Sequence, residues 1–367
     1  MNVFVTDYSS TNFTLQNIEI RSILLSSVQK LLIQSKIDKK LIDGILISTT
    51  SNSKYLAAQI SEFLGIKSKF AFTIENLCSS GTNAIVSAFA YISSGLANAI
   101  IVVGADLYNP PGKIFECDES RGSYKHPIFW ASLFTKAYKR KYGINEYDLA
   151  RISSKNYNHA LHNPYAFNKK TYTVENIIDS KKITDDLNIL HCSKLCTGSS
   201  AILMMSENYA KKFSTDPVRI IGIGQFTDST FFTKNDLTSM PSTKIASQNA
   251  FSMCKLTPNQ IDVAEVHDAF SICEIMAIED IGFTKKGHGA DLSNELYQTK
   301  NNKINPRGGL LGSGHPIGAT GISQTMEIVQ QLQNKAGKRQ ISRANIGLIH
   351  NMSAAATSST ILILTSS

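Results

Sequence analysis

The chain has too few cysteines, too widely scattered, for disulfides to hold it together. Its six stand at Cys78, Cys117, Cys192, Cys196, Cys254 and Cys273, and no CxxC pair is matched by a second. That excludes a small disulfide scaffold and argues against a structural zinc site, and it suits a reducing compartment. Cys192 and Cys196 are four apart, but no second ligand pair accompanies them. No His-x-x-x-His pair or nearby carboxylate cluster is present, so no metal is expected. No stretch nears the roughly 20 apolar residues that span a bilayer. The opening MNVFVTDYSSTNF lacks the basic and apolar regions of a secretory signal. The closing LILTSS is not an address of the SKL type. The expectation is a cytoplasmic protein with no membrane partner. A clustered basic tract is also missing. The net charge is +8 and the pI about 9.0, a balance that suits phosphate-bearing ligands more than nucleic acid. Short basic groups such as Lys136 to Lys141 read as solvated surface.

What is present is enough apolar sequence, 42% over 367 residues, for one large α/β domain or two fused halves. Short buried-strand patterns at 44–48, 99–104, 263–266 and 346–349 alternate with helical spacing. The helical stretches are 20–36, 82–95, 243–255, 269–281 and 320–335, and the order predicts βαβ units and a largely parallel sheet. The halves echo each other: IDKKLIDGILIS before Thr49 resembles LTPNQIDVAEVHD ending at Asp268. Each half then has a small-residue turn opening a helix, at Cys78 and at His315. The chain divides at 1–210 and 211–367, with the second copy beginning near Pro217. A stretch from about 107 to 190, rich in Lys, Asn, Tyr and His, reads as a loop domain inserted in the first half. Two such copies would bring their turns together at a shared crevice.

The run Asn305 to Gly321, NPRGGLLGSGHPIGATG, sets six glycines and two prolines around His315. Glycine serves where backbone must take positive φ or approach a ligand closely. A histidine there is placed to move protons. Cys78, in ENLCSSGTNAIVSAF, precedes a helical run, where the helix dipole and free N–H groups favour a thiolate; a buried small hydrophobe would read the same way. His267, in VAEVHDAF, and His350, in GLIHNMSAAATSS, each end a strand. Singly, either could be structural. Jointly, a cysteine and converging imidazoles are what acyl transfer needs: the sulfur takes the acyl group, one ring activates the thiol, another polarises the carbonyl.

At these residues the chain resembles the thiolase superfamily, over nearly its whole length. It is most similar to the branch of sterol-carrier-protein-associated thiolases and archaeal acetoacetyl-CoA thiolases. NHALHNPYAF (158–167), CSKLCTGSSAILMMS (192–206) and VAEVHDAFSICEIMAIEDIGF (263–283) carry the likeness beside NPRGGLLGSGHPIGATG. The resemblance implies two duplicated βαβαβαββ halves in a five-layered αβαβα core, with an inserted loop domain. It implies Cys78 as acylated nucleophile and His315 as the residue that activates it. His267 would contribute to an oxyanion hole, and His350 would occupy the second acid/base position. It implies coenzyme A thioesters as substrates, no permanently bound cofactor, and a homodimer or homotetramer. A complex with a synthase and a zinc-containing bridging protein is a further implied partnership. Arg121 and Lys125 are candidates for the coenzyme A phosphates.

The chain departs from the branch at several positions. Ala269 stands where a cysteine is usual, with Cys273 one helical turn later. Thr197 replaces an aspartate. Ser353 and Ala354 stand where two glycines are expected, so that turn is expected to differ. The implied activity is acetyl-CoA C-acyltransferase. The alternatives are a decarboxylating condensing enzyme, for which Cys-His-His suffices, and an acyl-CoA-binding scaffold.

Overall fold

Alternation of side chains along the strands explains the architecture. The structure, a computed structural model, describes residues 1–108, 126–230, 236–299 and 302–366, so Arg121 and Lys125 lie outside the described residues. The first half runs β1 (Val3–Ser10), α1 (Ile20–Ser35), β2 (Gly44–Ser48), α2 (Leu56–Phe63), β3 (Phe70–Ile74), α3 (Ser80–Ser93) and β4 (Ala99–Asp106). Then come α4 (Pro127–Tyr142), α5 (Glu146–Ala160), α6 (Val174–Ile178), β5 (Gly198–Ser206) and α7 (Glu207–Phe213). The second half runs β6 (Val218–Thr227), α8 (Pro241–Cys254), β7 (Val263–Glu265), α9 (Ser271–Ile281), α10 (Gly289–Gln298) and α11 (Gly309–Ser313). It closes with α12 (Ile317–Leu332), β8 (Ile346–Ser353) and β9 (Ser358–Ser366).

The strands form one mixed sheet in the order β3-β2-β4-β5-β1-β6-β9-β8-β7. Its two sides mirror each other about an antiparallel seam, where Phe4 faces Arg219 and Val5 faces Val218. On one side β2 and β4 are parallel, and β5 returns antiparallel to β4. On the other, β7 and β8 are parallel, and β9 returns antiparallel to β8. The counterpart of β3 is reduced to one parallel bridge, Ala264 with Ile304. This is the duplication that the sequence echoes suggested.

Five layers follow from the period of two in each strand. Ile45, Ile47, Ile101, Val103, Leu203 and Met205 pack outward on α1 and α2. Their neighbours Leu46, Ile100, Val102, Ile202 and Met204 turn inward and meet Ile85 of α3 and Ile322 and Ile328 of α12. Ile349, Leu362 and Leu364 close on the same central layer from the second half. Leu348, Ile361 and Ile363 turn outward to a cluster that holds α9 and part of α8. The sheet thus bends around α3 and α12, and every residue of α12 is buried.

The expected helices at 82–95 and 320–335 begin earlier, at Ser80 and Ile317. The small residues before them were read as turn but already belong to the first helical turn. Gly318 makes this entry feasible, because a Cβ there would collide with the backbone of Ser48. Between β4 and β5 the chain makes α4 to α6; α5 packs on α9, α10 and α11 of the opposite half and α4 on α9, while α6 packs on α5. Lys155 of α5 forms a buried ion pair with Glu274 of α9 at 2.6 Å. No helix among the described residues is long and apolar enough to cross a membrane.

Candidate active site

Cys78 sits on a single 3-10 turn, Leu77–Ser79, that leads into α3. Leu77 enters the turn with φ of 44°, a left-handed conformation that costs a non-glycine residue roughly 1–2 kcal/mol. The turn is fastened from the other half. Ser353, at the end of β8, donates its hydroxyl to the Asn76 carbonyl at 2.5 Å and accepts from the Ser79 amide at 3.3 Å. His315 lies at the equivalent place in the second copy, just before α12. Its amide donates to the Lys194 carbonyl at 2.8 Å, and Gly314 before it takes a φ of 95°.

The rings and the sulfur converge. His315 Nε2 is 3.3 Å from Cys78 Sγ, and His315 Nδ1 is 2.7 Å from Thr320 Oγ1. Thr320 donates its own proton to the Pro316 carbonyl at 3.0 Å, so it accepts from Nδ1–H. One neutral ring carries one N–H, and Nε2 is therefore the bare, basic nitrogen facing the thiol. His267 stands edge-on to His315, with ring centroids 5.3 Å apart. One donor atom from each of Cys78, His267 and His315 lies within 4.8 Å of the others. Among the described residues this is the one group of His, Cys and carboxylate side chains close enough to share an ion, and no carboxylate takes part in it.

Burial governs the protonation states. It pushes the Cys78 thiol up to about 12, and the Asp106 carboxylate adds to the rise. It pulls His315 down to about 3, helped by the Arg307 guanidinium. It holds His267 well below its usual value, with His315, His350 and Arg307 acting in the same direction. The expectation of a resting thiolate is therefore corrected. The N–H groups of Cys78 and Ala354 do favour the anion, but desolvation outweighs them. The free site holds a thiol facing a neutral imidazole.

His350 is not brought to the sulfur. It sits on the outward face of β8 with Leu348, and its Nε2 pairs with the Thr243 hydroxyl of α8 at 3.0 Å. Its Nδ1 accepts from the His267 backbone at 3.4 Å. It supports His267 from behind, and both ring nitrogens are engaged. Cys273 is fully buried in the outer core, and Ala269 offers no acid or base. In the altered turn after β8, Ala354 takes φ of 50° and Ala356 of 58°, left-handed values held despite their Cβ atoms.

Three supporting residues escaped the sequence reading. Asp106, at the end of β4, accepts from Gly318 N at 2.5 Å, Thr50 N at 3.1 Å and Thr49 Oγ1 at 3.1 Å. It thereby ties the start of α12 to the loop after β2. Its signal was a lone acid ending the apolar run AIIVVGA. Thr320 lay inside the quoted motif without an assigned role. Asn351 lies beside His350 on the opposite, inward face of β8.

Comparison with known proteins gives the same frame. The thiolase N-terminal domain model matches residues 3–109, and the thiolase C-terminal domain-like model matches 224–366. Acetyl-CoA acetyltransferase of Methanothermobacter thermautotrophicus is 33% identical, over 82% of this chain and 81% of its own. Sterol carrier protein 2 of Gallus gallus is 31% identical over 79% of this chain, which spans 57% of that relative's length. Among solved structures, an Ltp2-ChsH2(DUF35) aldolase superposes with a TM-score of 0.88 at 19% identity, covering 99% of this chain and 97% of that one. A monomeric SCP2-thiolase like protein type 1 from Mycobacterium smegmatis gives 0.80 at 15% identity, over 99% of this chain and 76% of that one. The chain belongs to the thiolase superfamily and is an enzyme of its acyltransferase type.

Proposed function

We propose that the protein is an acetyl-CoA C-acyltransferase that works by ping-pong transfer through an S-acyl Cys78. The supporting observation is the 3.3 Å approach of His315 Nε2 to Cys78 Sγ across the two halves. As the sulfur attacks a coenzyme A thioester, the new S–C bond forms and the thiol proton passes to Nε2. The carbonyl electrons become an oxyanion, which hydrogen-bond donors in this dry site stabilise strongly. Collapse breaks the bond to coenzyme A, whose sulfur leaves with the proton held by His315. Neutral again, His315 is the base available to take a proton from the methyl group of a second acetyl-CoA, while His267 steadies the enolate oxygen. Carbon attack on the acyl carbonyl forms the C–C bond and breaks the S–C bond to Cys78, releasing a short 3-ketoacyl-CoA, while the Cys78 sulfur takes back the proton held by His315; thiolysis is the reverse.

Turnover of acetoacetyl-CoA and coenzyme A into acetyl-CoA tests this reading. Cys78→Ser should lower the rate by at least about three orders of magnitude. Near-wild-type turnover by that variant would end the proposal.

The absence of an acid/base at Ala269 and the outward turn of His350 favour a second reading, a decarboxylating condensing enzyme. Release of carbon dioxide from malonyl-CoA in the presence of acetyl-CoA would select it. For assembly, the proposal is a homodimer or homotetramer, with a synthase and a zinc-containing bridging protein as further partners, on the strength of the family likeness. Sedimentation of the chain alone and with such partners would test it.

A further inference from the structure

His267 is useful to the carbon–carbon step only if its proton sits on the correct nitrogen, and a short chain of amides decides which. Gln324 of α12 donates Nε2 to the His350 backbone carbonyl at 3.4 Å. A carbonyl can only accept, so Gln324 must present its oxygen at the other end. That oxygen accepts from Asn351 Nδ2. The same Nδ2 lies 3.2 Å from His267 Nδ1. An amide NH2 can only donate, so Nδ1 is the acceptor and carries no proton. A neutral imidazole then keeps its one proton on Nε2, for which no hydrogen-bond partner is found among the described residues. The other Asn351 atom, Oδ1, is buried without a partner. It stands against Gly321, where a Cβ would come within 2.9 Å of it. Asn351 is thus held in one orientation with an acceptor left orphaned, which core packing alone does not call for.

We propose that Asn351, aligned by Gln324, is a positioning residue that fixes His267 as its Nε2–H tautomer, so that this nitrogen donates to the enolate oxygen of the second acetyl-CoA in the carbon–carbon step. The proposal rests on the reading of His267 as an oxyanion donor given above. It assigns roles to two residues to which the family likeness gave none.

The isosteric change Asn351→Asp reverses the hydrogen bond. A carboxylate accepts from Nδ1–H and leaves Nε2 bare. At pH 8 the carbon–carbon step should fall by about 100-fold or more, the usual cost of losing one oxyanion donor. Acetylation of Cys78 by acetyl-CoA should stay within about threefold of wild type, because His315 is untouched. As pH is lowered, the ring beside the new carboxylate takes a second proton and Nε2–H returns. The variant should then recover relative to wild type, which a merely structural defect would not produce. Nitrogen-15 spectra of the wild-type protein should show the His267 proton on Nε2. Wild-type protonation on Nδ1, or unchanged turnover by Asn351→Asp, would overturn the proposal. His267→Ala separates the two layers of the argument. If it is inactive while Asn351→Asp is normal, only the relay falls. If His267→Ala itself turns over normally, the role of His267 falls with it.

Discussion

The loop around His315 and the strand around His350 carry second-half histidines in nearly the same electrostatic state. Burial draws each ring down to about 3. His315 precedes α12, whereas His350 lies inside β8, which continues to Ser353 beyond the strand end expected from sequence. Yet one nitrogen of His315 meets the nucleophile at 3.3 Å, while both nitrogens of His350 are spent on Thr243 and the His267 backbone. A depressed pKa therefore marks burial and not catalysis. What separates the two is direction. His315 follows a glycine at positive φ that swings it inward, and His350 falls on the outward parity of β8, one residue from the inward Asn351. A one-residue register decides which polar side chain of HNMS meets the chemistry.

The sharpest way to break this contrast is to exchange the two rings for amides. His315→Asn should lower the first acylation by about two to four orders of magnitude, the usual worth of a positioned general base, with Cys78 still present and folded. His350→Gln should change kcat/KM by less than about tenfold. It should cost about 1–3 kcal/mol of stability, because a buried hydroxyl and a buried amide lose their partner; thermal unfolding reads this. Equal catalytic losses in the two variants would erase the distinction.

Protonation offers a second test. With the thiol near 12 and His315 near 3, the thiolate population rises with pH throughout the neutral and alkaline range. Alkylation of Cys78 by iodoacetamide in the free protein should climb steadily past pH 9. His315 stays unprotonated well below pH 6.5, so the acylation rate should show no inflection from it between pH 5 and 8. A reactivity plateau already reached by pH 7 would indicate a thiolate–imidazolium pair instead. The smallest effect is expected at the turn after β8. Ala354→Gly relieves a left-handed alanine and should stabilise by about 1 kcal/mol or less, leaving turnover unchanged.

Much of the crevice was legible in the chain. NPRGGLLGSGHP located His315 by its glycines, although the structure shows that several of them serve close packing: a Cβ at Gly308 or Gly312 would collide with α5, and one at Gly309 with Asp268. The echo around Ile42 and Ile261 exposed the duplication, since a repeated fold repeats its strand entries. The direction of His350 was not legible, because the polar run HNMS hid the continuation of β8 to Ser353 and so the face that His350 takes within it. Nor was the neutral resting state, since the helix terminus that favours a thiolate is visible in sequence and the depth of its burial is not. The helices between β4 and β5 were hidden for another reason. Buried polar residues such as Lys155 and Asn156, paired with Glu274, break the apolar period that would reveal them.

The most direct measurement is the intact mass of the protein after mixing with acetyl-CoA. The expected result is one added acetyl group, mapped to Cys78, that departs when free coenzyme A is supplied. An unmodified mass, or an adduct that persists in Cys78→Ser, would contradict it.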